Sequence, residues 1–175
     1  MIEIDLLELA KKIRLLLLDV DGVLTDGRLY FAEDGIELKA FNILDGHGIK
    51  MLQATGVEVG IVTGRQSALV ARRAANLGIT ILLQGREDKF CAVEEILAEK
   101  KIALSEVAYV GDDLPDLAAI RNVGLGMTVA NAYALVKQHA KYVTQARGGE
   151  GAVREVCDFI MRAQNTLEAE LEKYV

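Results

Sequence analysis

The sequence holds no tryptophan, a single proline, two cysteines and two histidines among its 175 residues. One proline leaves no Pro-rich linker, and no repeat or low-complexity tract divides the chain. Cys91 and Cys157 lie far apart without metal-type spacing, inside helical patterns, so buried thiols in a reducing compartment are expected rather than a disulfide or a zinc site. Basic residues never run longer than two, and 20 Lys and Arg against 26 Asp and Glu leave a formal charge of −6, which excludes an electrostatic nucleic-acid binder. No apolar stretch approaches the ~20 residues of a membrane span. The opening Met1 to Ile13 carries Glu3, Asp5 and Glu8 where a secretory leader needs an uninterrupted apolar run. The expectation is a cytoplasmic protein without membrane contact.

What is present, 51% hydrophobic and 26% charged residues, suits one globular domain over residues 1–175. An acidic chain can still bind an anionic small molecule where a metal ion and a few cations reverse the field locally. After a short amphipathic helix, short apolar runs recur: Arg14 to Leu18 stops at Asp19-Val20-Asp21-Gly22, Val57 to Val62 at Thr63-Gly64, Ile79 to Leu83 at Gln84-Gly85, and Val107 to Val110 at Gly111-Asp112-Asp113. Helical patterns separate them, at Ile49 to Thr55, Ser67 to Leu77, Lys89 to Lys100 and Leu114 to Asn122. The alternation predicts an α/β, doubly wound parallel sheet with its ligand site beyond the carboxyl ends of the strands. Asp34-Gly35 between Leu29–Ala32 and Ile36–Phe41 predicts a β-hairpin projecting over about 28–41. The spacing of Val156, Phe159, Ile160, Ala163, Leu167 and Leu171 predicts one terminal amphipathic helix after the flexible Arg147 to Gly151 segment, so that tail and helix occupy about 147–175.

Asp19 and Asp21 stand two apart at a strand end, where two carboxylates repel unless one is protonated or a cation intervenes. Asp112 and Asp113 form a second pair, with Asp116 a helical turn further on. The two pairs, Asp19 with Asp21 and Asp112 with Asp113, offer enough hard oxygens for Mg²⁺, although Asp19 and Asp21 could also serve a turn and Asp112 and Asp113 a helix cap. Thr63-Gly64 offers a hydroxyl and backbone N–H groups to phosphate oxygens. Lys89, badly placed for the dipole at a helix start, makes sense beside such a phosphate.

The order Asp19-Val20-Asp21-Gly22-Val23-Leu24-Thr25-Asp26-Gly27, Thr63-Gly64-Arg65, Lys89 and Gly111-Asp112-Asp113 resembles the four motifs of the haloacid dehalogenase superfamily of phosphatases. Phe41 to Ile49 and Gly148 to Glu155 further resemble the family that acts on 3-deoxy-D-manno-octulosonate (KDO) 8-phosphate, over about Leu15 to Ile160. The resemblance implies a Rossmann-like fold without a cap domain. It implies that Asp19 is the nucleophile and Asp21 the acid and base, with Mg²⁺ held by Asp19, the Asp21 carbonyl and Asp112, and Asp113 beside them. Thr63 and Lys89 would grip the phosphoryl group. The sugar acid phosphate would be read by Asp21, Asn42, Ile43, Leu44, Asp45, Gly46, Lys50, Arg65, Arg73 and Lys89. Asp45 could instead cap a helix and Arg73 lie exposed; Lys50 stands where the family often has Arg. Lipopolysaccharide precursor synthesis is the implied setting. A phosphatase for a nine-carbon keto-acid phosphate and a non-catalytic regulatory module remain alternatives. The resemblance also implies a homotetramer whose active sites lie at subunit interfaces, with Gly148–Gly151 and Arg154 as a mobile tail over a neighbouring site; a linker to a helix packed on its own subunit is the alternative.

Overall fold

The structure, a computed structural model, describes residues 3–175. Six parallel strands form one sheet in the order β5-β4-β1-β6-β7-β8: β1 (Leu15–Leu18), β4 (Glu58–Val62), β5 (Ile81–Leu83), β6 (Val107–Gly111), β7 (Leu125–Thr128) and β8 (Tyr142–Val143). Four consecutive leucines make β1 the central strand, because a strand buried on both faces reads as an unbroken apolar run. Period-two geometry divides them: Leu16 and Leu18 enter one core with α2 (Ile43–Ala54), α3 (Ala68–Asn76) and α7 (Ala152–Ala163), and Leu15 and Leu17 the other with α4 (Lys89–Lys100) and α5 (Leu117–Asn122). Helices α1 (Glu3–Ala10), α6 (Ala134–His139) and α8 (Leu167–Leu171) complete the α/β layers.

Strand β1 has β4 on one side and β6 on the other, with Leu18 opposite both Ile61 and Val110. The chain therefore leaves the sheet in opposite directions from neighbouring strand ends, which opens a crevice beyond Leu18, Val62 and Gly111. The two strands β2 (Tyr30–Phe31) and β3 (Glu37–Leu38) pair antiparallel in the expected hairpin. Its turn is closed where Gly35 takes a φ of +82° and the Ile36 N–H donates to Asp34 Oδ1 at 3.1 Å.

Two strands and a helix escape the sequence pattern: β7, interrupted by Gly126, β8 with two residues, and α6. Gly126 is required by contact, since a Cβ there would fall on the Ile120 carbonyl oxygen. The predicted terminal helix is broken. It stops at Ala163, Asn165 adopts a φ of +56°, and the Thr166 N–H turns back to the Met161 carbonyl at 2.9 Å before α8 begins. Cys157 is buried as expected, but Cys91 is exposed because it faces outward from the first turn of α4.

The segment expected to move is tied down on its own chain. Gly149 N–H donates to the Val23 carbonyl at 2.9 Å, Gly148 N–H donates to Asn131 Oδ1 at 2.8 Å, and α7 packs along α2. Within its own chain the segment thus joins the sheet to a packed helix, the arrangement of the linker reading. A Cβ at Gly148 would overlap the Gly22 carbonyl, a backbone group that cannot rotate away. Gly148→Ala is expected to lower stability by about 1–3 kcal/mol, seen as a lower denaturant midpoint at unchanged m-value.

Candidate active site

The crevice forms a cleft of about 560 Å³ lined by Asp19, Asp21, Thr63, Arg65, Lys89 and Asp112 among others. Hydrogen bonding along the sheet delivers these groups: the Asp19 N–H donates to the Val110 carbonyl at 2.9 Å and the Thr63 N–H to the Leu83 carbonyl at 3.0 Å, continuing β1 and β4 by one residue. Gly22, at a φ of +95°, is the close approach that the site requires, because a Cβ there would fall on the Asp112 carboxylate.

Lys89 lies in the first turn of α4, behind the Asp88 cap, whose side chain accepts from the Cys91 N–H at 3.0 Å. Its side chain is 5% exposed, with Nζ 2.8 Å from Asp19 Oδ2 and 2.6 Å from Asp116 Oδ1. Burial alone would lower its pKa, but Asp19 and Asp116 outweigh that effect and raise it, so the ammonium is retained. Asp116 is the group that sequence reasoning left outside the site. Its Oδ1 also accepts from the buried Tyr109 hydroxyl at 2.7 Å, and its Oδ2 from the Asp112 and Asp113 N–H groups at 3.1 and 3.2 Å. Burial and the neighbouring Asp116 push the Tyr109 hydroxyl well above its ordinary value, keeping it a neutral donor. Asp-Asp-x-x-Asp after a strand was the available signal; Tyr109, an apolar-run residue, gave none.

Oxygens of Asp19, Asp112 and Asp116 come within 4.8 Å of one another. Asp116 is committed to four donors, so Asp19 and Asp112 are the carboxylates left for an added ion. Burial first, and the neighbouring carboxylates second, push both up to about 7 against the opposing pull of Lys89. Two hard oxygen donors with unrelieved repulsion fit Mg²⁺, which takes few carboxylates and fills its remaining positions with water or phosphate.

Asp113, expected near the metal, is exposed and caps the following 3₁₀ turn Leu114–Asp116 by accepting from the Leu114 N–H at 2.8 Å. Its oxygens do not join the cluster. Asp21 is 23% exposed and paired with Lys39. Arg65 borders the cleft, 2.8 Å from Glu37 Oε2. The other expected sugar-acid residues lie outside the cleft. Asn42 caps α2, accepting from the Leu44 N–H at 2.8 Å, while Ile43 and Leu44 are 81% and 55% exposed. Ile43, Gly46, Lys50 and Arg73 line a separate cavity of about 210 Å³ together with His47 and Leu77. Asp45 is turned inward: it is 1% exposed and its Oδ1 accepts from the Arg154 N–H at 2.8 Å, placing a carboxylate at the start of α7. It caps a helix, as the alternative held, but a distant one rather than its own.

The raised carboxyls set the direction of two pH effects. In the metal-free protein, protons occupy Asp19 and Asp112 below about pH 7 and must leave when a cation binds. Mg²⁺ affinity should therefore rise between roughly pH 6 and pH 8. Calorimetry in two buffers of different ionisation enthalpy should show proton release near neutrality. Because the folded state binds these protons more tightly than the unfolded one, metal-free stability should fall as pH rises from 3.8 toward about 7, and Mg²⁺ should restore more of it at the alkaline end. A thermal midpoint insensitive to Mg²⁺ at pH 8 would contradict this.

Residues 79–156 match the model of a family described as haloacid dehalogenase-like hydrolase. The chain is 50% identical over 164 residues to 3-deoxy-D-manno-octulosonate 8-phosphate phosphatase KdsC of Escherichia coli strain K12, covering 94% of this chain and 87% of that one. A probable YrbI family phosphatase from Pseudomonas syringae superposes with a TM-score of 0.97 at 57% identity, over 98% of each chain. The KDO 8-phosphate phosphatase of Moraxella catarrhalis, solved with magnesium, phosphate and KDO, superposes with a TM-score of 0.98 at 42% identity, over 99% of this chain and 100% of that one. The chain belongs to the KDO 8-phosphate phosphatase family of haloacid dehalogenase-like hydrolases.

Proposed function

We propose that this chain is a Mg²⁺-dependent phosphatase that hydrolyses KDO 8-phosphate to KDO and phosphate. The observation that carries the reading is the buried Asp19–Lys89 pair beside Asp112 on the floor of an open cleft, in a chain half identical to a named phosphatase of that ester. The Moraxella relative, which binds magnesium, phosphate and KDO, supports the same ligand set.

The chemistry follows from the groups in the cleft. Asp19 attacks phosphorus, forming an acyl phosphate as the ester P–O bond breaks. Asp21 gives its proton to the departing alcohol oxygen. Water then attacks the acyl phosphate, Asp21 takes the proton released, and the Asp19 carboxylate is restored. Lys89, the Thr63 hydroxyl and the backbone at Gly64 hold the non-bridging oxygens as charge shifts among them. Asp19, Asp112 and the Asp21 carbonyl would hold Mg²⁺, which when bound offsets the repulsion between a carboxylate nucleophile and a phosphate. Arg65, the guanidinium at the cleft border, is the partner for the carboxylate of the sugar acid.

The separation of Asn42–Gly46, Lys50 and Arg73 from the cleft supports a second part of the proposal, a homotetramer in which one subunit completes its neighbour's site. Leu29, Phe31, Ile36 and Leu38 of the hairpin are 55–63% exposed, and so marginal a hairpin gains stability by packing on a partner. The cytoplasm is the proposed compartment, in keeping with the two free thiols.

Phosphate release from a panel of sugar phosphates with Mg²⁺ tests the substrate, and KDO 8-phosphate should give the highest kcat/KM. A nine-carbon keto-acid phosphate that outpaces it would overturn the assignment. Asp19→Asn should abolish release while the thermal transition remains cooperative, because an amide is a far poorer nucleophile. Light scattering at micromolar concentration should report four chains; a fully active monomer would exclude the shared site.

A further inference from the structure

Among the charged side chains of the hairpin, to which the chemistry above gives no task, Lys39 stands apart by its burial. Lys39 follows β3, and its side chain is 2% exposed although Leu38 beside it is 56% exposed. The hairpin thus turns its apolar residues outward and an ammonium inward, which is unfavourable for both unless the ammonium is paired. Its partner is Asp21: Lys39 Nζ donates to Asp21 Oδ1, and among the described residues no other side chain donates to that carboxylate. Nζ also lies 3.3 Å from Glu37 Oε1, and Glu37 Oε2 accepts from Arg65 Nη2 at 2.8 Å. A continuous chain of charges, Asp21–Lys39–Glu37–Arg65, joins the proton-transferring carboxylate to the cleft border through the hairpin.

We propose that Lys39 is a positioning residue for this reaction, which fixes the orientation of Asp21 by holding one of its oxygens and leaves the other free for proton transfer. The proton passes from that free oxygen to the ester oxygen as the P–O bond breaks, and Lys39 keeps its own protons throughout. An acid contributes only when it is held in reach of the atom it protonates, so a freely rotating Asp21 loses most of its effect without any change in the nucleophile. The hairpin thereby becomes part of the machinery of its own chain as well as an exposed apolar surface.

This inference rests on the phosphatase reading, and the test separates the two. The esters are KDO 8-phosphate, whose alkoxide leaving group needs a proton, and p-nitrophenyl phosphate, whose leaving group departs as a stable anion. Since kcat/KM reports the steps through leaving-group departure, Lys39→Met should lower it about 100-fold for the alkyl ester and less than about threefold for the aryl ester. Lys39→Arg should recover most of the loss. In the Asp21→Asn background, Lys39→Met should cost the alkyl ester nothing further, because the group it positions is gone. Equal losses on both esters would make Lys39 structural or phosphate-directed, and additive losses in the double variant would make it a direct contact to the sugar; either result overturns the inference. Turnover of the aryl ester by each variant reports that the site has folded. Should the unaltered enzyme accept only other sugar phosphates, the substrate reading fails, and the same ratios measured on the alkyl phosphate it does accept still decide the role of Lys39.

Discussion

Three carboxylates and one ammonium enclosed at the end of the central strand set the terms for the rest of the molecule. Asp116 is the anchor: with Lys89, Tyr109 and two backbone N–H groups satisfying its oxygens, it fixes the ammonium against Asp19 and folds the loop after β6 so that Asp112 returns to β1. Glycine at 22 and 111 makes the approach possible, since a Cβ at either position would overlap an aspartate side chain. What remains is unbalanced. Asp19 and Asp112 share the field of a single lysine, and burial raises both toward neutrality. A site in this condition is stabilised by a divalent cation and then accepts a phosphate against its own charge.

The topology of the sheet explains why these groups meet. Leaving the sheet in opposite directions from β1 and its neighbours puts nucleophile, hydroxyl, lysine and acidic loop around one crevice. The residues expected to read the sugar gather instead at the start of α2 and on α3, where a smaller cavity opens on a different part of the surface. The groups of the cleft and those around the smaller cavity thus come from separate stretches of the chain, with the exposed hairpin and the rim of α2 at the surface.

Much of this was legible in the sequence wherever one physical cause dominated. Doubly buried strands read as unbroken apolar runs, which is why β1, β4 and β6 and the polar residues after them were located, and half-buried β5 at the sheet edge is apolar enough to be read the same way. The Asp34-Gly35 turn was equally direct. Where two causes compete, the pattern fails. Gly126 serves a close contact and so interrupts the apolar signal of β7, and Asn165 turns a helix whose apolar spacing continues beyond it. Side-chain direction was the largest gap. Asp45 reaches inward to cap α7, more than a hundred residues away in sequence, Asp113 spends its carboxylate on a local turn, and Lys39 is drawn under the hairpin by Asp21. Each of these depends on tertiary neighbours that no local spacing encodes.

The central claim is that Asp19 carries the phosphoryl group between two steps that share Asp21. Asp21→Asn separates them, because p-nitrophenyl phosphate needs no acid for the first step while the second step still lacks its base. Rapid mixing of that variant with Mg²⁺ and p-nitrophenyl phosphate should give a burst of p-nitrophenolate stoichiometric with active sites, then a slow phase. Acid-quenched protein should carry phosphate on the peptide that contains Asp19. Continued turnover with no phosphate on that peptide at any time point would contradict the account.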